Sequence, residues 1–219
     1  MAMARAMRRP VSTRALLACG SIGPTLFMTT FFIDGSTRPG YDPSRNFVSQ
    51  LSTGERGWLQ ITNFVACGVL LLAGAVGLSR TPGPRLATTL IGANAVALIA
   101  AGVFVADPGR GYPPGAHEPL HSTPHSTLHG LASLTAFLSL GTAPLVVAAH
   151  TRSSPAWAAY SVLSGIVVLA FFAATVVLSD QNKSVASGPP IGVLQRISIA
   201  SGFTWLPALF LRHWRQSDR

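Results

Sequence analysis

Residues 58–106 read WLQITNFVACGVLLLAGAVGL, then SRTPGPR, then LATTLIGANAVALIAAGVFVA. The two apolar runs, 58–78 and 86–106, contain no Asp, Glu, Lys or Arg. A helix needs about 20 apolar residues to cross a bilayer, and each run is that long. The short segment between them carries two prolines and two arginines, which is typical of a tight loop at a membrane surface. This stretch predicts a hairpin of two transmembrane helices.

Apolar runs of the same kind continue on both sides of this hairpin. The 219-residue chain is 48% hydrophobic and only 11% charged, whereas soluble domains carry about 25% charged residues. Because the runs are continuous rather than alternating, they favour helices over a barrel. We therefore predict an all-α polytopic membrane protein with a basic segment at 1–14, one six-helix domain at 15–211 and a basic tail at 212–219. The predicted spans are 15–33, 58–78, 86–106, 130–149, 157–178 and 191–211.

The charged residues sort to the two sides of this predicted bundle. Ten arginines and one acid, Asp218, fall in the two termini and the short loops, whereas five basic and six acidic residues fall in the long loops. The positive-inside rule then predicts that both termini are cytoplasmic in a multi-pass protein of the plasma membrane. The net charge of +9 is interpreted as a topology signal and a contact with anionic lipid, not as a nucleic-acid site.

The predicted extracytoplasmic loops are the longer ones, and long ordered loops are often functional. In the first, Asp42 and Pro43 can begin a helix, apolar residues then recur on one face, and Gly54 can end it. We predict a short amphipathic helix at about 43–53, which lies in the interface or caps the bundle. In the second loop, Ser-Thr before Pro124 predicts that the fourth helix begins near that residue.

Arg196 is the only charged residue within a predicted span. A charge at membrane depth is costly and indicates a functional site by default. It could instead extend to the nearby interface, or pair with the aspartates that end neighbouring helices. Together with a histidine at the same depth, these residues define a candidate polar site on the extracytoplasmic face. The members of this candidate site are Asp34, Asp107, His129, Asp180 and Arg196.

Four histidines follow one another at four-residue spacing from His117 to His129. Histidines at this spacing on one helix can bind zinc, but two prolines interrupt the series. The last pair, His125 and His129, could join Asp107 in a speculative metal site. The alternative is a solvated histidine-rich loop. We therefore expect no cofactor, with zinc as the alternative.

Short motifs occur in order along the chain: Arg38-Pro-Gly-Tyr-Asp-Pro, Asn46-Phe-Val-Ser-Gln-Leu, Gly57-Trp58, Asn63-Phe64, Asp107-Pro108-Gly109, His129-Gly130 and Gly192-x-x-Gln195-Arg196. In these motifs the chain resembles the bacterial membrane proteins grouped as domain of unknown function 998, over about residues 15–211. The resemblance implies a six-span helical fold and no established reaction. The histidine-rich stretch departs from the family pattern, which puts the metal site in doubt.

No nucleotide-binding glycine motif, hydrolase elbow or zinc-protease motif occurs in the sequence. We predict a protein of unknown activity, more a binding protein than an enzyme, that holds a lipid, a small amphiphile or a partner at its extracytoplasmic face. The alternative is a metal-dependent lipid hydrolase in the membrane, in which Asp107, His125 and His129 hold the metal and Arg196 an oxyanion. A small transporter is a third possibility. Membrane lipids are the expected partners.

Overall fold

The computed structural model describes residues 11–181 and 189–217, apart from the side chains of 180 and 181. Every regular element in these ranges is a helix. A short 3₁₀ helix, Val48–Ser52, lies between the first two long helices. The long helices are α1 (Thr13–Ser36), α2 (Gly57–Ser79), α3 (Arg85–Val103), α4 (Pro124–His150), α5 (Pro155–Gln181) and α6 (Ile191–Gln216).

The helices α1 to α5 are long and apolar enough to cross a membrane, judged by length and composition alone. The last helix, α6, is of similar length but less apolar, and it carries Arg196. The all-α fold of membrane type is therefore confirmed. That α6 also crosses the membrane, and that the two termini share one side, stays a prediction.

The helix ends follow local signals in the sequence. The fourth helix begins at Pro124 as predicted, and the hydroxyl of Thr123 accepts a hydrogen bond from the amide of Ser126 at 3.2 Å. The third helix ends at Val103, three residues before the predicted end of its span. It stops there because Phe104 turns to an extended conformation, and its carbonyl faces the ring of His129 at 2.8 Å.

The six helices form a closed ring. Each packs against the next in chain order, and α6 returns to pack against α1. Glycines allow the closest approach: a Cβ on Gly74 of α2 would lie 2.6 Å from the Cα of Gly20 on α1. The ring of Phe210 fills the adjoining space from α6. Such contacts leave no room for larger side chains, so the order of the helices around the ring is defined by packing.

The loop after α1 folds over one end of this ring as a lid, here defined as residues 41–53. Val48 and Leu51 are almost completely buried against the bundle. The predicted helix at about 43–53 is wrong in extent, because the 3₁₀ helix begins only at Val48. Before it, the carboxylate of Asp42 accepts from the amide of Ser44 at 2.8 Å and holds a turn instead. The end of the ring that carries the lid is called the lid end below.

Candidate functional site

A groove of about 500 Å³ lies at the lid end, between α4 and α5. This volume falls within the range of small-molecule sites, about 300–1,000 Å³. One part of the groove is apolar and follows the two helices, and the other is polar and lies under the loops. The apolar part includes Leu134, Phe137, Phe172 and Val176, and the polar part includes Gln50, Asp107, Arg110, Ser126, His129 and Gln195.

Helical spacing places these side chains along the groove. On α4, Ser126, Gly130, Ser133 and Phe137 recur every three or four residues, so they share one face of the helix. The lining residues of α5, from Phe172 to Ser179, follow the same spacing. Both faces change from polar to apolar with distance from the lid end. The groove is therefore amphipathic along its length.

Arg110 supplies the positive charge of the groove. Its backbone has a φ of 58°, a conformation that side-chain-bearing residues seldom adopt. Within the described ranges, its guanidinium donates a hydrogen bond to the carbonyl of Ser179 at 3.2 Å and lies over the ring of Phe47. Burial lowers the pKa of Arg110, and the attraction of Glu118 acts in the opposite direction. A half-buried cation of this kind favours an anionic partner.

His129 lines the same groove and is 5% exposed. Its Nδ1 lies 3.0 Å from the carbonyl oxygen of Ala101 and 2.8 Å from that of Phe104. Both partners can only accept, so Nδ1 carries a hydrogen in the neutral ring. The other nitrogen, Nε2, then has a free lone pair. His129 can therefore accept a hydrogen bond from a ligand in the groove.

Asp107 lies at the polar end of the groove, and both of its carboxylate oxygens accept hydrogen bonds from one residue, Thr123. Oδ2 accepts from the amide of Thr123 at 2.8 Å, and Oδ1 from its hydroxyl at 2.7 Å. Burial alone would raise the pKa of Asp107, but these hydrogen bonds outweigh it and place the pKa below its ordinary value. This carboxylate consequently secures the start of α4.

The lid is joined to the groove by amide side chains. Gln195 of α6 accepts a hydrogen bond from the amide of Val48 at 2.8 Å. Gln50 donates to the carbonyl of Gly109, and Asn46 to that of Arg110 at 3.3 Å. The lid thus contacts both α6 and the second long loop. Its position determines the shape of the polar end of the groove.

Arg196 lies among oxygen acceptors of the lid and of its own helix. Its Nη1 donates to the carbonyls of Pro43, Asn46 and Gly192 at 2.5, 2.9 and 3.0 Å, and its Nη2 donates to the hydroxyl of Tyr41. The ion pair with an aspartate, one of the alternatives for this residue, is not observed among the described side chains. Because its guanidinium donates to carbonyls of both the lid and α6, Arg196 connects the lid to this helix.

Asp34 lies in a separate buried network at the end of α1. Its Oδ2 accepts from Nε and Nη2 of Arg38 at 3.0 and 2.6 Å, and its Oδ1 accepts from Arg56. Arg38 also donates to the hydroxyl of Tyr112 at 3.1 Å and to the carbonyl of Thr53 at 3.0 Å. Asp34 therefore joins the long loops to each other and does not line the groove.

The five predicted site residues thus separate into different places. Asp107 and His129 line the groove, whereas Asp34 and Arg196 hold the loops, and the side chain of Asp180 lies outside the described residues. The predicted metal set of Asp107, His125 and His129 is not assembled. Across residues 11–179 and 189–217, no three His, Cys, Asp or Glu side chains are placed to hold a metal ion. His125 instead packs its ring on Phe104.

The groove residues that sequence reasoning missed include Gln50, Arg110 and Gln195. Two of them lie in the motifs Asn46-Phe-Val-Ser-Gln-Leu and Gly192-x-x-Gln195-Arg196, so the motifs were the available signal. Arg110 precedes a glycine, Gly111, which also has a positive φ, of 72°. An arginine beside a turn glycine gives little signal alone, because loop arginines are common at membrane surfaces.

The fold and the groove define a class: a helical protein of membrane type with an amphipathic groove at one end. The family described as "Protein of unknown function (DUF998)" matches residues 21–212, and the chain belongs to this family. The match confirms the resemblance read from the motifs. Neither the curated proteins nor the solved structures contain a match to this chain.

Proposed function

We propose that this protein binds an amphiphile from the membrane, with the polar head under the lid and the chain along α4 and α5. We further propose that all six helices cross the plasma membrane with both termini in the cytoplasm, so that the lid end is extracytoplasmic. The ligand would then come from the outer leaflet. This is a binding function and not a reaction.

One observation carries the proposal: the groove changes from polar to apolar along its length. At one end, Arg110 offers a cation and His129 a hydrogen-bond acceptor. At the other end, the rings of Phe137 and Phe172 stack in parallel with their centroids 4.4 Å apart. A ligand that satisfies both ends has a charged or polar head and a hydrocarbon chain. A phospholipid-like molecule with a phosphate beside Arg110 fits this description.

The alternatives have no comparable support. A hydrolase would need a group of ligands or a nucleophile with its base, and Asp107 is engaged by Thr123. A transporter would need polar groups along a path through the bundle, whereas the groove lies at one end. We therefore propose neither.

The test is to fill the groove without disturbing the fold. A Cβ at Gly130 would meet nothing within 4 Å, so a phenylalanine there can occupy the groove. Gly92 on α3 has equally open surroundings but lies away from the groove, and Gly92→Phe is the matched control. A spin-labelled phospholipid in nanodiscs, with purified protein, reports how much lipid is immobilised.

We expect Gly130→Phe to lose the immobilised lipid and Gly92→Phe to keep it. Arg110→Gln should weaken retention of an anionic phospholipid about tenfold, since a charge-assisted hydrogen bond contributes about 1.5–3 kcal/mol. Equal retention by wild type and Gly130→Phe, with both folded, would rule out the groove as the site.

A further inference from the structure

A second cavity lies in the centre of the ring, below the lid. Its free volume is about 40 Å³. Most of its wall is apolar and includes the rings of Phe27, Phe64, Phe137 and Phe203. No charged side chain is among the described residues that line it.

Asn94 of α3 is the unusual member of this wall. Its side chain is 1% exposed, and its Nδ2 donates to the carbonyl of Ala136 at 2.9 Å. A carbonyl can only accept, so this contact fixes which end of the amide is the oxygen. That oxygen, Oδ1, has no donor among the described residues. A buried acceptor without a donor is costly, and it therefore indicates a partner that enters the cavity.

The chemistry of the wall limits the partner to a neutral donor with an apolar body. An ion would meet no opposite charge there. The other polar residues of the wall are Ser49, Ser133 and Gln195, of which Gln195 already accepts from the amide of Val48, and the rest of the wall is apolar. An apolar wall and an acceptor without a donor, Oδ1 of Asn94, match an alcohol. Its hydrocarbon part would pack on the phenyl rings while its hydroxyl donates.

We propose that the central cavity binds a neutral alcohol, with the hydroxyl donating to Oδ1 of Asn94 and the hydrocarbon body against the phenylalanine rings. The site goes beyond the lipid groove and does not depend on it. The two spaces share the lining residues Ser49, Ser133, Phe137 and Gln195, so they lie next to each other.

Two fluorinated probes of equal size test the proposal on the full chain in detergent. Trifluoroethanol has the hydroxyl, and 1,1,1-trifluoropropane has a methyl group in its place. Fluorine NMR, referenced to protein-free micelles, measures saturable binding of each. We expect wild type to bind trifluoroethanol about tenfold more tightly than trifluoropropane, as one buried hydrogen bond can contribute about 1.4 kcal/mol.

Asn94→Leu removes the acceptor and keeps the approximate volume. The carbonyl of Ala136 retains the hydroxyl of Ser139 at 3.1 Å, so this variant should fold. The matched control is Asn63→Leu, which replaces another buried asparagine that donates to a helix carbonyl but does not line the cavity. We expect loss of the preference for trifluoroethanol in Asn94→Leu and its retention in Asn63→Leu.

Equal binding of the two probes to wild type would overturn the proposal, and this comparison requires no variant. Absence of saturable trifluoroethanol binding would also overturn it, because a tightly held water would then be the donor. Unchanged preference in a folded Asn94→Leu would show that the probe binds elsewhere. None of these results depends on the lipid test with Gly130→Phe, so the two proposals can fail separately.

Discussion

Arg38 and Asp34 form a buried ion pair at the end of α1, with Nε and Nη2 of Arg38 at 3.0 and 2.6 Å from one carboxylate oxygen. Both side chains are about 5% exposed. Arg38 also links this pair to the second long loop, because its Nη1 donates to the hydroxyl of Tyr112. The pair therefore connects a helix end and two loops that together support the lid.

We expect Asp34→Asn to destabilise the protein by about 3–5 kcal/mol, the usual cost of leaving one buried charge without its partner. Equilibrium unfolding in mixed micelles measures the difference. Glu55→Gln, at an exposed carboxylate in the same loop, is the control and should stay within about 0.5 kcal/mol. Equal effects of the two substitutions would contradict a structural role for the pair.

Arg196 should be replaceable by neither lysine nor glutamine. Its planar fork reaches carbonyls of the lid and of α6 at once, and an ammonium cannot reproduce that geometry. We expect Arg196→Lys and Arg196→Gln both to speed hydrogen exchange of the Val48 amide at least about tenfold. If the arginine merely extends to the interface, the lysine variant will exchange as wild type does.

Gly192→Ala should displace the lid. An added Cβ would lie 2.6 Å from the carbonyl oxygen of Pro43 and 2.7 Å from that of Asn46, and backbone atoms cannot move aside cheaply. Gly92→Ala, where the Cβ meets nothing, is the matched control and should be neutral or stabilising by up to about 1 kcal/mol. Limited proteolysis of the lid should increase only in Gly192→Ala. Identical digestion of the two variants would contradict this packing.

Asp107 should make the start of α4 sensitive to acid. Its pKa in the folded protein is below the ordinary value of 3.8, because Thr123 donates two hydrogen bonds to the charged form. The stabilisation is thus complete well above pH 3.8 and is lost as the pH falls through the folded pKa. Melting temperatures of wild type and Asp107→Asn, measured between about pH 7 and pH 3, should converge at the acidic end. A difference that grows in acid would contradict this assignment.

The number of crossings can be tested with single cysteines in intact cells. Six crossings place Val11→Cys and Ser217→Cys on the same side, and five place them on opposite sides. We expect an impermeant maleimide to label Ala116→Cys, in the second long loop, and to spare both terminal cysteines until the membrane is opened. Labelling of Ser217→Cys but not of Val11→Cys in intact cells would show that α6 does not complete a sixth crossing.

The helices could be predicted from the sequence because the length of an apolar run depends only on residues that are neighbours in the chain. The start of α4 at Pro124 was predicted by its cap, whereas the lid was predicted as one helix and is a turn followed by a 3₁₀ helix. That error has a specific cause: the side-chain NH₂ groups of Asn46 and Gln50 donate to carbonyls of the second long loop. Local propensity does not include such partners.

By itself, the sequence determined the helical class, the positions of the apolar segments and the family, because these depend on runs of neighbouring residues. Only the tertiary structure decided what Arg196 and Asp34 contact, and where the groove lies. The lid contacts that shape the groove join residues far apart in the chain: Val48 to Gln195 across 147 positions, and Asn46 to Arg110 across 64. The packing of the lid against α6 and the second long loop creates these neighbours, and no local pattern encodes them.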